Sequence, residues 1–170
     1  AVILAHYYVD EDVQDIADYI GDSFYLSKVA TKVDQDRIIF AGVEFMGESA
    51  KILNPDKRVF MPDMNADCPM AHMADKEEIL KLREEYDDLA VVCYINSTAE
   101  LKKYSDVCVT SSNAVEIVKN LPNKNIFFIP DRNLGHFVAK QCPDKNFIFN
   151  NGCCPRHVVI TKEMVEKAKA

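Results

Sequence analysis

Arg58-Val59-Phe60-Met61, running into Pro62-Asp63-Met64-Asn65-Ala66-Asp67-Cys68-Pro69-Met70-Ala71-His72, is the stretch that decides how this chain folds. An apolar run is cut short by proline and aspartate, and a new helix-start signal follows at Asp75. Cys68 is thereby placed in a loop at the C-terminal end of a strand. In open α/β sheets that edge is where ligands gather.

Working back from this loop, the chain alternates strands with helical patterns of about ten residues, the signature of βαβ units and a parallel sheet. Val2 to Ala5 reads as a strand that ends in His6-Tyr7-Tyr8. Asp10 can cap a helix with Glu11 and Asp12 in its first turn, and Val13, Ile16, Ala17 and Ile20 follow the helical period. Gly21-Asp22-Ser23 breaks that helix and starts another carrying Leu26, Val29, Ala30 and Val33 on one face. Ile38 to Phe40 reads as a strand, and a helix with Met46, Ala50 and Leu53 stops at Asn54-Pro55.

Forward from the loop the plan repeats. Asp75 with Glu78 makes a capping box for a helix bearing Ile79, Leu82 and Tyr86. A strand over 89–95, a helix over 99–104, a strand over 107–110 and a helix with Val115, Val118 and Leu121, capped by Ser112 or Asn113, come next. Asn-Pro-Asp-Lys at 54–57, a strand and Pro62-Asp63 recur as Leu-Pro-Asn-Lys at 121–124, a strand and Pro130-Asp131, which suggests a duplicated unit at a spacing of 67 or 68 residues. Phe147 to Phe149 leads into a second cysteine loop, Asn-Asn-Gly-Cys-Cys-Pro, and Thr161 caps a last helix. The expected fold class is α/β, with two similar three-layer αβα domains built on parallel sheets: 1–72, then 73–158, with 159–170 opening a third unit. Ala1, which is not a Met, reads as a truncation point.

Composition narrows the function. A net charge of -7 without a Lys/Arg block argues against a nucleic-acid partner. Mean hydropathy of -0.15 and the lack of a spanning apolar run argue against a membrane partner, and the expectation is a cytoplasmic protein. Six cysteines with no secretory signal do not form a disulfide framework. Cys93 and Cys108 lie in apolar strand runs and read as buried core thiols. Cys68 and the pair Cys153-Cys154 lie in loops beside proline, with no local zinc spacing, so any metal site draws on separate loops.

Other polar residues fall at strand ends. His6 and Tyr8 are two apart, as are Tyr94 and Asn96, and i, i+2 residues of a strand share a face. Histidine can move a proton near neutral pH, while Tyr and Asn can hold carboxylate or carbonyl oxygen. Ser23 and Ser111 sit near helix starts, where exposed amides take anions, although plain N-capping is the commoner use of serine.

Several of these segments carry a family likeness. His6-Tyr7-Tyr8 with Val13-Gln14-Asp15-Ile16-Ala17-Asp18 and Gly21-Asp22-Ser23 resembles the opening of the quinolinate synthases. Phe40-Ala41-Gly42-Val43, Cys68-Pro69-Met70-Ala71, Tyr94-Ile95-Asn96-Ser97-Thr98, Thr110-Ser111-Ser112-Asn113-Ala114 and Pro130-Asp131-Arg132-Asn133-Leu134-Gly135 continue the resemblance in the same order across the chain. It implies three αβα domains about a pseudo-threefold axis, with the third domain missing here. Each domain would give one cysteine to a single [4Fe-4S] cluster, Cys68 and Cys154 being the two ligands in this chain.

The resemblance further implies condensation of iminosuccinate (iminoaspartate) with dihydroxyacetone phosphate to quinolinate, in NAD biosynthesis. His6, Ser23, Tyr94, Ile95, Asn96 and Ser111 match substrate-binding positions, and Tyr8, Tyr94 and His6 catalytic ones. Functional coupling to L-aspartate oxidase or aspartate dehydrogenase would supply the imine. Asp67 stands where glycine is usual, and Cys153 beside the ligand cysteine where an aromatic is common. The competing expectations are a non-catalytic metal- or anion-binding two-domain module on the same fold, and a zinc protein using Cys68, Cys154 and His157.

Overall fold

Leu4, Phe40, Val92 and Phe128 lie on the inner strands of two parallel sheets, and none of them is exposed to solvent. The structure, a computed structural model, describes residues 1–170 and divides into two compact units, Ala1–Cys68 and Pro69–Ala170. The first runs β1 (Val2–His6), α1 (Glu11–Asp15), β2 (Tyr19–Gly21), α2 (Ser23–Ala30), β3 (Arg37–Ala41), α3 (Glu44–Leu53) and β4 (Arg58–Phe60), with sheet order β2-β1-β3-β4. The second opens on a single 3-10 turn (Pro69–His72). It continues as α4 (Lys76–Glu85), β5 (Leu89–Tyr94), α5 (Ala99–Lys103), β6 (Val107–Val109), α6 (Ala114–Asn120), β7 (Asn125–Ile129), α7 (Arg132–Gln141), β8 (Asn146–Phe149) and α8 (Lys162–Lys169). Its order is β6-β5-β7-β8, and every pairing in both sheets is parallel.

The inner strands are near-continuous apolar runs because helices cover both faces. In the second unit, alternation sends Ala90, Val92, Ile126 and Phe128 to one face, against Ala114 and Val118 of α6 and Val138 of α7. It sends Leu89, Val91, Cys93, Phe127 and Ile129 to the other, against Ile79 of α4 and Leu101 of α5. Phe127 and Phe128 are thus fully buried on opposite faces, and truncating either to Ala should cost about 3–5 kcal/mol. The helices begin where short polar side chains can take their free amides: Asp22 accepts from Tyr25, Asp75 from Glu77, Thr98 from Leu101, Asp131 from Asn133 and Leu134, and Thr161 from Met164.

The two units repeat one another at a spacing of 88 residues. His6 pairs with Gly21 as Tyr94 pairs with Val109, and Ile38 with Val59 as Ile126 with Phe147. The details match too. The carboxylate of Asp18 accepts from the Ile3 amide (2.8 Å), as Asp106 does from Val91 (2.7 Å). Lys57 Nζ donates to the carbonyls of Ala30 and Val33 behind α2, and Lys145 Nζ to those of Leu121 and Asn123 behind α6.

This spacing replaces the one suggested by the proline punctuation. Residues 54–57 leave α3 and enter β4, whereas 121–124 leave α6 and enter β7, the counterpart of β3. Pro and Asn mark every helix-to-strand junction alike, so matching two of them paired the wrong junctions. Two further expectations fail. The helical pattern over 13–20 is divided between the short α1 and the edge strand β2, so Ile16, Tyr19 and Ile20 are exposed. Cys108 is exposed as well, because β6 is a three-residue edge strand with its Cys108 face open. No helix is long and apolar enough to cross a membrane.

Candidate functional site

All the sequence-predicted site residues follow the C-terminal ends of strands, so in each unit they share one edge of the sheet. In the first unit β1 stops at His6, and a tight turn closed by the Val9 amide on the His6 carbonyl (3.1 Å) brings Tyr8 back over it. The two rings lie 4.3 Å apart, and the Tyr8 amide donates to His6 Nδ1 (3.3 Å). With Nδ1 accepting, the neutral ring carries its proton on Nε2. Burial lowers the His6 pKa below its ordinary 6.5, and the nearby Asp22 carboxylate offsets part of that. His6 is 5% exposed and Tyr8 88%, so a buried imidazole lies under an open phenol. The pair meets through this turn, not through the two-residue period of a strand. Gln14, which sequence reasoning did not single out, holds the turn by donating to Val9 O (2.9 Å) and Tyr7 O.

The second unit makes the equivalent turn after β5. Ile95 N–H reaches Val109 O, as Tyr7 N–H reaches Gly21 O, and buried Ser97 donates its hydroxyl to Tyr94 O (2.8 Å). Tyr94 is the last strand residue, and its ring packs against the face formed by Val92 and Phe128. Asn96 lies beyond the strand, and its Oδ1 is buried without a hydrogen-bond partner. Leaving such an acceptor unpaired costs about 1–3 kcal/mol. Ser23 and Ser111 follow β2 and β6 at the same 88-residue spacing; Ser23 opens α2 and is half-buried, while Ser111 lies exposed in a turn before α6.

The cysteine loops follow β4 and β8. In the first, Asp63 accepts from the Asn65 amide (2.8 Å), Ala66 O accepts from Glu44 N (2.8 Å), and Asp67 accepts from the Cys68 amide (2.7 Å). In the second, Gly152 O accepts from Arg132 N (2.8 Å). Glu44 and Arg132 begin α3 and α7, so these two bonds are one bond in the two copies. The cysteine two residues beyond the accepting carbonyl is Cys68 in one loop and Cys154 in the other. The second loop is two residues shorter, Arg132 to Gly152 against Glu44 to Ala66. Buried Asn150 anchors it through Nδ2 to Met73 O (2.9 Å) and Pro130 O (2.7 Å), and a Cβ at Gly152 would come within 2.6 Å of Pro130 O. Asn150 and Gly152 are positioning residues that no motif in the sequence revealed.

Cys68, Cys153 and Cys154 are free, half-buried thiols, whereas Cys93 and Cys142 are enclosed in the core. Cysteine sulfurs in accessible loops are the donors that iron–sulfur clusters take, and Cys68 and Cys154 each have that chemistry and setting. A cavity of about 300 Å³ lined by Tyr19, Val29, Lys32, Val33, Asp34 and Gln35 contains none of the candidate residues.

Comparisons with known proteins place the chain in a family. The family model described as quinolinate synthetase A protein matches residues 1–170. The quinolinate synthase of Fusobacterium nucleatum subsp. nucleatum is 62% identical over 167 residues, which cover 98% of this chain and 56% of that protein. The quinolinate synthase of Clostridium perfringens strain 13 is 54% identical over 170 residues, 100% of this chain and 56% of its own length. That of Sulfurihydrogenibium sp. is 52% identical over 169 residues, 99% and 55%. The chain thus spans about half the length of the curated relatives it matches. With a whole-length family match and relatives 52–62% identical, the chain belongs to the quinolinate synthetase A family.

Proposed function

We propose that this chain supplies two α/β units of a quinolinate synthase that condenses iminosuccinate with dihydroxyacetone phosphate, with Cys68 and Cys154 as thiolate ligands of a [4Fe-4S] cluster. The observation that carries the reading is the equivalence of those two cysteines, each two residues past the carbonyl that caps α3 or α7. When bound by three thiolates, such a cluster supplies an open iron that serves as a Lewis acid toward substrate oxygen or nitrogen.

The chain's own residues bind, orient and move protons. His6, neutral through burial and with its proton on Nε2, donates a hydrogen bond to a substrate oxygen and can give up that proton. Tyr8 and Tyr94 present phenols for proton transfer, Tyr8 above the imidazole and Tyr94 from the end of β5. Asn96 Oδ1 accepts from a substrate N–H or O–H, with Ile95 before it in the same turn, its amide held by Val109 O. Ser23 and Ser111 offer hydroxyls to carboxylate or phosphate oxygens. The imine substrate comes from an aspartate-oxidising enzyme, an L-aspartate oxidase or an aspartate dehydrogenase, and the reaction belongs to NAD biosynthesis in the cytoplasm.

A protein of the relatives' full length, purified without oxygen, should be brown, carry about four iron and four sulfide per chain, and make quinolinate. Zinc in place of iron would favour a binding module using the same thiols. The 170-residue chain, with two of the three implied thiolates, should form quinolinate at a rate close to background.

A further inference from the structure

A second pair of cysteines lies within one unit, away from the cysteine loops. Cys93 and Cys108 stand directly opposite each other on the neighbouring parallel strands β5 and β6. Neighbouring strands run about 4.7–4.9 Å apart, inside the roughly 4.4–6.8 Å between Cα atoms that a disulfide spans. Because the two residues are in register, their side chains leave the sheet on the same face. The environments differ: Cys93 is fully buried against Ile79, Leu101 and Phe127, while Cys108 is exposed on the edge strand.

We propose that Cys93 and Cys108 are a redox-responsive pair that closes to an inter-strand disulfide when the protein meets a small-molecule disulfide of the glutathione type. Cys108 reacts first, since it alone of the two is open to solvent. The neighbouring Cys93 thiol and the charge of Lys102 bring the Cys108 pKa down to about 7 against the opposing effect of burial, whereas the neighbouring Cys108 thiol and burial hold Cys93 well above its ordinary value. Cys108 Sγ attacks one sulfur of the reagent, forming a mixed disulfide and releasing one thiol. Cys93 Sγ, already beside it, loses its proton and attacks Cys108 Sγ, expelling the second thiol. Two protein thiols are oxidised and one reagent disulfide is reduced to two thiols, so atoms and electrons balance. The cross-link ties the strand that ends at Tyr94 to the strand that leads to Ser111.

The test is to expose the folded, reduced 170-residue chain to oxidised glutathione without oxygen, block free thiols, digest with trypsin and weigh the peptides without reduction. The expected product joins the peptide Glu84–Lys102 to Tyr104–Lys119, lighter by two hydrogens than the sum of the free peptides and lost on reduction. Cys93→Ala should stop at a stable Cys108–glutathione adduct, and Cys108→Ser should leave Cys93 unmodified in the folded chain. The proposal is overturned if wild-type Cys108 accumulates as the glutathione adduct with Cys93 free, or if both remain thiols. It is equally overturned if Cys93 in Cys108→Ser is modified as fast as Cys108 in the wild type.

Discussion

Cys68 and Cys154 occupy one position in two copies of the same unit: each lies two residues beyond the carbonyl that receives the first amide of α3 or α7. Cys153, its immediate neighbour, has Asp67 as its counterpart and is out of phase with the repeat. In a full-length protein purified without oxygen, Cys154→Ala should therefore lose iron and the brown colour, while Cys153→Ala keeps both. Iron and sulfide assays decide it, and the opposite pattern would transfer the ligand role to Cys153.

His6 gives the first unit a pH dependence with a definite sign. Its folded pKa lies below 6.5, so between the two values the unfolded chain binds the extra proton and the folded chain resists it. Stability from this residue is fully present above about 6.5 and falls as pH drops through that window toward the folded pKa. Urea midpoints measured between pH 7 and pH 5 should decline, and His6→Asn should flatten the decline. A variant with the same slope as the wild type would mean that another group carries it.

Asn96 and Asn150 should respond in opposite ways to truncation. Asn96 Oδ1 is buried and unpartnered, so Asn96→Ala removes a penalty and should leave stability unchanged or raise it by up to about 1 kcal/mol. Asn150 Nδ2 serves two carbonyls, so Asn150→Ala should cost about 1–3 kcal/mol. Denaturant unfolding of the two variants checks both. A loss above about 1 kcal/mol in Asn96→Ala would show that the amide is structural.

Lys57 and Lys145 close the C-terminal ends of corresponding helices, each with one ammonium on two backbone carbonyls. Lys57→Met and Lys145→Met keep the alkyl stem and remove those bonds, and each should cost about 1–2 kcal/mol by thermal or urea unfolding. Near-zero losses in both would assign the ends to solvent.

The parts of this molecule legible in its sequence are those governed by local pattern. The inner strands announced themselves as apolar runs, and Asp75 and Thr161 as polar caps before periodic segments. The edge strands did not. Tyr19–Gly21 has three residues and no buried face long enough to set a period, so it merged with the helical pattern before it. Cys108 looked like its buried partner Cys93 because a sequence does not say which strand lies at the rim. His6 and Tyr94 stood out as polar residues ending apolar strand runs, which is where β1 and β5 stop. Gln14, Asn150 and Gly152 did not, since their roles depend on carbonyls between five and seventy-seven residues away.

Asp18 and Asp106 have a further effect through the amides they hold. Each carboxylate grips the central strand just before a three-residue edge strand begins, and so acts as a key that admits a single alignment. A shift by one residue would turn every side chain of that strand to the opposite face. It would also carry Gly21 away from the Tyr7 amide and Val109 away from that of Ile95. The points at which the chain leaves β2 and β6 for Ser23 and Ser111 are thus determined five residues earlier, at the other end of the strand.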